Sequence, residues 1–128
     1  MGGYTGTNHA GGVETFDPIR IHAFWLDVAS TKKKIAPGLF VGYTQNDGSQ
    51  HDGFSTLYAR GYAGNRGVDH VFRTAARVAF MQNKFSIIPE VEYTTATWGD
   101  VIANGAIGNT NLQNVGNLRV MVMCSYAF

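Results

Sequence analysis

The sequence predicts an all-β protein, folded as an antiparallel up-and-down meander of about five to six strands. Three observations carry that prediction. Bulky apolar residues alternate with small or polar ones in several segments, the period of two that a strand imposes on its faces. Between those segments lie stretches rich in Gly, Asn, Asp and Ser, the residues that turns favour. Charged residues make up only 15% of the 128, while 16 are Gly and 12% are aromatic. That balance argues against both a disordered chain and a charged helical bundle.

Residues 1–18, with their Gly, Thr, Asn and Asp, read as loop. The run IRIHAFWLDVA then predicts a first strand over about 19–29. Its faces are not cleanly divided. Ile19, Ile21, Ala23 and Trp25 share one parity and Phe24, Leu26 and Val28 the other, which predicts a bulge or burial on both sides. Ser30 to Lys34 form a short polar turn. A second strand, about 35–45, separates Ile35, Leu39, Val41 and Tyr43 from Ala36, Gly38, Phe40, Gly42 and Thr44. One face is bulky and apolar, and the other is mostly small. Pro37 lacks an amide hydrogen and marks a strand end or bulge. The stretch 46–69 reads as a long loop holding one strand-like patch, STLYARGYA.

A third strand, about 70–81, and a fourth, about 84–98, predict a hairpin turning at Gln82-Asn83. In that register Phe80 opposes Phe85, Val78 opposes Ile87, Thr74 opposes Val91 and Phe72 opposes Tyr93. On the other face Arg73 opposes Glu92, Ala75 opposes Glu90, and Arg77 reaches Glu90 diagonally. A slip of one residue would destroy this sorting. Residues 99–116 read as a second long loop, and a closing strand follows over 117–128.

That closing strand, within NLRVMVMCSYAF, places Leu118, Val120, Val122, Cys124, Tyr126 and Phe128 on one parity. Arg119, Met121, Met123, Ser125 and Ala127 take the other. An alternating segment ending in a terminal aromatic resembles the closing strand of Gram-negative outer-membrane β-barrels of porin-like type, the signal read by the barrel-assembly machinery. The connectors run short, long, very short, long, which resembles the alternation of periplasmic turns and extracellular loops in such barrels. The resemblance implies a transmembrane β-barrel segment in the outer membrane, passing small hydrophilic solutes passively. Five strands are too few to close, so it further implies the C-terminal portion of a larger barrel, or a protomer completed by other subunits. MGGYTGTNHAGG does not read as a secretory signal peptide, so the start is expected to be lost. Two other readings remain open: a non-channel barrel acting as anchor or assembly component, and a soluble β-sandwich or lipocalin-like ligand binder.

Composition narrows the alternatives. No run approaches the roughly 18 apolar residues of a membrane-spanning helix, yet barrel strands need only about 9–11. A mean hydropathy of −0.10 fits strands with only one apolar face. A net charge of +1 makes no case for nucleic acid. The lone Cys124 allows neither an internal disulfide nor a cysteine ligand pair.

The candidate pore-lining residues are Arg73, Arg77, Glu90, Glu92 and Arg119, whose charges would shape permeation or brace the wall. Tyr43, Phe72, Tyr93, Tyr126 and Phe128 are expected as an aromatic girdle at the membrane interfaces. Trp98 falls on the charged-face parity and is a candidate for ligand stacking. His9, His22, His51 and His70 lack metal-ligand spacing, although His51 and Asp52 beside Asp47 could form a loop cation site. Glu90 and Glu92 face arginines, which should keep both ionised rather than split their pKa values for acid–base work. No serine stands in a nucleophile setting and GYAGNRG opens no helix. Neither a catalytic nor a metal site is expected, and no cofactor. The expected partners are membrane lipid, the assembly machinery acting through the last strand, and the rest of the barrel or other subunits.

Overall fold

A computed structural model describes residues 2–12, 14–32 and 34–127. These residues are all β, without a helix, in two antiparallel sheets. The strands are β1 (Gly2–Asn8), β2 (Glu14–Pro18), β3 (Arg20–Ala29), β4 (Ile35–Gly48), β5 (Thr56–Arg60), β6 (Tyr62–Ala63), β7 (Arg66–Gln82), β8 (Phe85–Asp100) and β9 (Gln113–Tyr126). One sheet has the order β2-β1-β5. The other has the order β3-β4-β7-β8-β9, with β6 beside β7. Neither closes into a barrel, and β3 and β9 are edges of the larger sheet.

The five expected strands correspond to β3, β4, β7, β8 and β9, with several ends displaced. β7 starts earlier than expected and β4 continues to Gly48. Residues 1–18, read as loop, instead hold β1 and β2. Their Gly, Thr and Asn side chains are those of turns, so composition concealed a ladder in which Tyr4 faces Pro18 on one side and Tyr58 on the other. The patch STLYARGYA supplies β5 to that sheet and β6 to the larger one. The hairpin turn is Asn83-Lys84, one residue later than expected, with Asn83 at φ 53°. Opposed positions therefore move by two, and each side chain keeps its face. The two-sided apolar character of β3 reflects no double burial: as an edge strand it leaves Phe24, Trp25, Leu26 and Val28 all exposed.

The chain divides into two compact units. The first comprises residues 1–23, 44–71 and 96–115 and is held mainly by polar contacts. Asn46 is 4% exposed and acts as its hub. Its amide donates to the Tyr62 hydroxyl at 2.6 Å and to the Gly105 carbonyl at 3.4 Å, and its Oδ1 accepts from the Gly48 amide at 2.9 Å. The Tyr62 hydroxyl donates onward to the Gly105 carbonyl at 2.6 Å, and burial raises its pKa. Gly48 has φ +72°, and a Cβ there would lie 2.7 Å from the Ala106 amide, so the loop backbones meet only because the position is glycine. Ser49, 1% exposed, extends the network by donating its amide to the Asn104 carbonyl at 2.7 Å. Tyr4, Phe16 and Tyr58 form an exposed aromatic row on the small sheet, with centroids 5.0 and 5.3 Å apart.

The second unit comprises residues 24–43, 72–95 and 116–128. Here the five strands sort their side chains by parity. Phe24, Leu26, Val28, Ile35, Leu39, Val41, Phe72, Phe80, Phe85, Ile87, Val91, Tyr93, Leu118, Val120, Val122 and Tyr126 share one face, and all are exposed. The opposite face carries the charges and the small residues Ala36, Gly38, Gly42 and Ala75, all buried. Buried apolar side chains are few in both units: Ile19 and Val68 in the first, Ala36 and Ala75 in the second.

Asn46→Ala removes the hub and leaves the Gly48 amide without its acceptor. It is expected to destabilise the first unit by about 1–3 kcal/mol. Urea unfolding followed by Trp98 fluorescence in a Trp25→Phe background measures this.

Candidate functional site

The charged face of the second unit is built from β3, β7, β8 and β9, with β4 supplying the space beneath. Its centre is Glu92 on β8, 8% exposed. The Glu92 carboxylate forms ion pairs with Arg73 of β7 and Arg119 of β9, the latter at 3.0 Å. Arg73 also lies over the Phe40 ring of β4, 5.4 Å from its centroid, a cation–π contact. Arg77 departs from expectation. It binds both oxygens of Asp27 on β3, at 2.8 and 2.9 Å, rather than reaching for Glu90. Glu90 makes no ion pair among the described residues. Both contacts come from the one Nη2 nitrogen, a charge-assisted pairing that β3 places within reach of Arg77.

The small residues of β4 make this possible. A Cβ on Gly38 would sit 3.2 Å from Arg77 Nε and 3.3 Å from its Cζ, so the guanidinium packs closely against the bare backbone there. Ser86 and Ser125 meet at 2.7 Å on the same face, at the offset that pairs Glu92 with Arg119. β8 and β9 are thus locked in one register through this unit.

Tyr43, Phe72, Tyr93 and Tyr126 all lie on the apolar face. Tyr43 stacks on Phe24 at 5.5 Å between centroids. Phe72, Tyr93 and Tyr126 are exposed. Phe128 lies outside the described residues. Trp98 is half-buried in the first unit.

The histidines, which spacing left without a role, each have a partner in the first unit. His22 Nδ1 lies 2.8 Å from Asp47, His51 Nδ1 2.8 Å from Asp17, and His70 Nδ1 2.7 Å from Asp69. His9 contacts Thr15 at 2.9 Å. Two of these Asp partners are 25 and 34 residues away, so no local motif could reveal them. They also separate the loop residues considered for a cation: Asp47 belongs to His22, and His51 to Asp17. Among the described residues no three His, Cys, Asp or Glu side chains gather to hold a metal.

Asp69, His70 and Thr97 form an acid–imidazole–hydroxyl series, with His70 Nε2 3.0 Å from Thr97 Oγ1. Thr97 is 8% exposed and donates to Asn114 Oδ1 at 2.6 Å. A buried hydroxyl engaged on a neighbouring strand braces β7, β8 and β9 rather than attacking a substrate.

Two outcomes follow. Glu92→Gln leaves Arg73 and Arg119 on one face without their shared counter-charge. It is expected to destabilise the second unit by about 1–3 kcal/mol, with much of the loss recovered in Glu92→Gln/Arg119→Gln, as read in a double-mutant denaturation cycle. Asp17 also accepts the His51 backbone amide at 2.9 Å, and the hydrogen bond from the His51 side chain holds its carboxyl below the usual carboxylate range. A depressed carboxyl stabilises above its unfolded value and loses that contribution as pH falls through the folded one. Protection of the His51 amide against hydrogen exchange is therefore expected to persist at neutral pH and drop only below the ordinary carboxylate range, with no such step in Asp17→Asn. No family model matches the chain, and no curated protein or solved structure matches it either.

Proposed function

We propose that this chain forms part of the wall of a porin-like outer-membrane β-barrel that passes small hydrophilic solutes. One observation carries the reading. Across β3, β4, β7, β8 and β9 an unbroken apolar face is exposed, while the opposite face carries paired Arg, Asp and Glu. Water does not tolerate so large an apolar surface, and hydrocarbon does not tolerate the charged one. A bilayer outside and an aqueous lumen inside satisfy both. Antiparallel strands settle their backbone groups on one another, as a spanning structure must. Among the described residues no helix is long and apolar enough to cross a membrane, so spanning falls to strands.

In this reading Tyr43, Phe72, Tyr93 and Tyr126 belong to the lipid-facing wall, where aromatic rings favour the interfaces. Arg73, Arg77, Glu90, Glu92 and Arg119 line the lumen with Asp27 and set a local field for passing ions. The reading that competes is a barrel serving as anchor or assembly component. It draws support from charge balance: the three arginines of the charged face stand against three acids, Asp27, Glu90 and Glu92, a composition suited to bracing.

The test is reconstitution of the protein in planar bilayers. Stepwise, voltage-independent conductance is expected, and Arg73→Glu/Arg77→Glu should shift selectivity toward cations. A protein that inserts without conducting would be an anchor. One that remains monodisperse in water without detergent is not a membrane barrel.

A further inference from the structure

We infer that the turn end of the second unit binds an anionic phospholipid, the lysines of two turns holding its phosphate while the adjoining apolar wall takes its acyl chains; this rests on the barrel reading, which puts that end at one surface of a bilayer. The cations of the chain are divided by type. All four lysines, Lys32, Lys33, Lys34 and Lys84, fall in the turn before β4 and the turn between β7 and β8, whereas the six arginines lie elsewhere. Lys33 is outside the described residues. Arg73, Arg77 and Arg119 each meet an acid on the charged face. Among the described residues Lys32, Lys34 and Lys84 are exposed and make no ion pair. No acid occurs between Asp27 and Asp47, or between Asp69 and Glu90. Glu90 is the nearest acid along β8, six residues from Lys84. That is roughly 20 Å of extended strand, well past the Debye length of about 8 Å at physiological salt. The positive charge of this end is left unanswered by the protein.

The two turns adjoin. β4 and β7 are neighbours, and the Met81 amide donates to the Lys34 carbonyl at 2.9 Å where both strands reach this end. The Ala127 amide donates to the Lys84 carbonyl at 2.8 Å, which ties the tip of the β7–β8 hairpin to the residue after β9. A cleft of about 660 Å³ opens here, lined by Lys34 with Gln82, Asn83, Phe80, Phe85 and Ile87. A second, of about 630 Å³, is lined by Lys32 and Lys34 with Ile35 and Pro37. Lys34 borders both. Each cleft thus joins a cationic rim to an apolar wall, and Ile35, Phe80, Phe85 and Ile87 are all exposed. A soluble phosphate would use the rim and leave those walls bare. A phospholipid uses both. The methylene stem of a lysine packs along apolar surface while its ammonium stays at the polar level, where it meets a phosphate as a point charge. Gln82 and Asn83 add neutral amide donors for phosphate and ester oxygens. The rim offers no acid to receive the ammonium of a zwitterionic headgroup, so a headgroup of net negative charge is preferred.

The test is native mass spectrometry of the full chain in detergent micelles, titrated with phosphatidylglycerol or with phosphatidylcholine of the same acyl chains. Each lysine near an anionic headgroup contributes roughly fivefold, so phosphatidylglycerol is expected to bind at least about tenfold more tightly than phosphatidylcholine. Lys32→Gln/Lys33→Gln/Lys34→Gln/Lys84→Gln should abolish that preference, and the corresponding four Lys→Arg changes should keep it, because they keep the charge. Should the glutamine variant fail to fold, the preference of the unaltered chain and of the arginine variant still decides. Equal binding of the two lipids, or a preference that survives in the folded glutamine variant, overturns the lipid site and leaves the barrel reading intact. Glycerol phosphate, a headgroup without chains, is expected not to displace phosphatidylglycerol at equal concentration. Displacement would show a site for free phosphate, against the inference. A chain monodisperse in water without detergent overturns the lipid site and the barrel reading together.

Discussion

The arrangement of side chains in the larger sheet depends on the carboxylate of Glu92. It sits between two arginines from the strands on either side and is the most shielded charge of its face. Because strand side chains alternate, a one-residue slip of β8 would turn Glu92 onto the apolar face and send Val91 or Tyr93 toward the arginines. An unpaired carboxylate among Phe, Ile and Val is costly, so the ion-pair trio selects one register from its neighbours. The apolar face is uniform because the charged face is fixed. Surface ion pairs contribute little to stability alone, and the value of this one lies in the alternatives it excludes.

The first unit follows a different physical logic. It has little apolar interior, and its cohesion comes from amides, hydroxyls and carbonyls converging on Asn46, Ser49 and Tyr62. Such a network tolerates water on its outside but not a missing partner within, since a buried polar atom stripped of its partner keeps the full cost of desolvation. His–Asp pairs around it fasten segments distant in sequence, His51 to Asp17 and His22 to Asp47. Connections built this way hold long loops in shape without a hydrophobic core.

The division between what could and could not be read from the sequence follows from the same alternation. Parity is a local property, so the apolar and charged faces of β4, β7, β8 and β9 were legible residue by residue, as was the grouping of Arg73, Glu92 and Arg119. Partnership is not local. The pairing of β1 with β5 joins segments some fifty residues apart, both written in the Gly, Thr and Tyr vocabulary of loops. The bond from Arg77 to Asp27 spans fifty residues and competed with a nearer, plausible acid in Glu90. The hairpin turn moved by one residue because Asn83 occupies either position of a tight turn, and only the positive φ it adopts distinguishes them.

The bare backbone at Gly38 has an electrical consequence. The guanidinium of Arg77 reaches Asp27 by lying against that glycine, so close that a methyl group there would force it to give way by a few tenths of an ångström. The position of a full positive charge is thus governed by a residue that carries none. Adding or removing a single carbon on β4 would retune the potential along this face with no titratable group altered, so neutral substitutions at Gly38 belong among the determinants of its electrostatics.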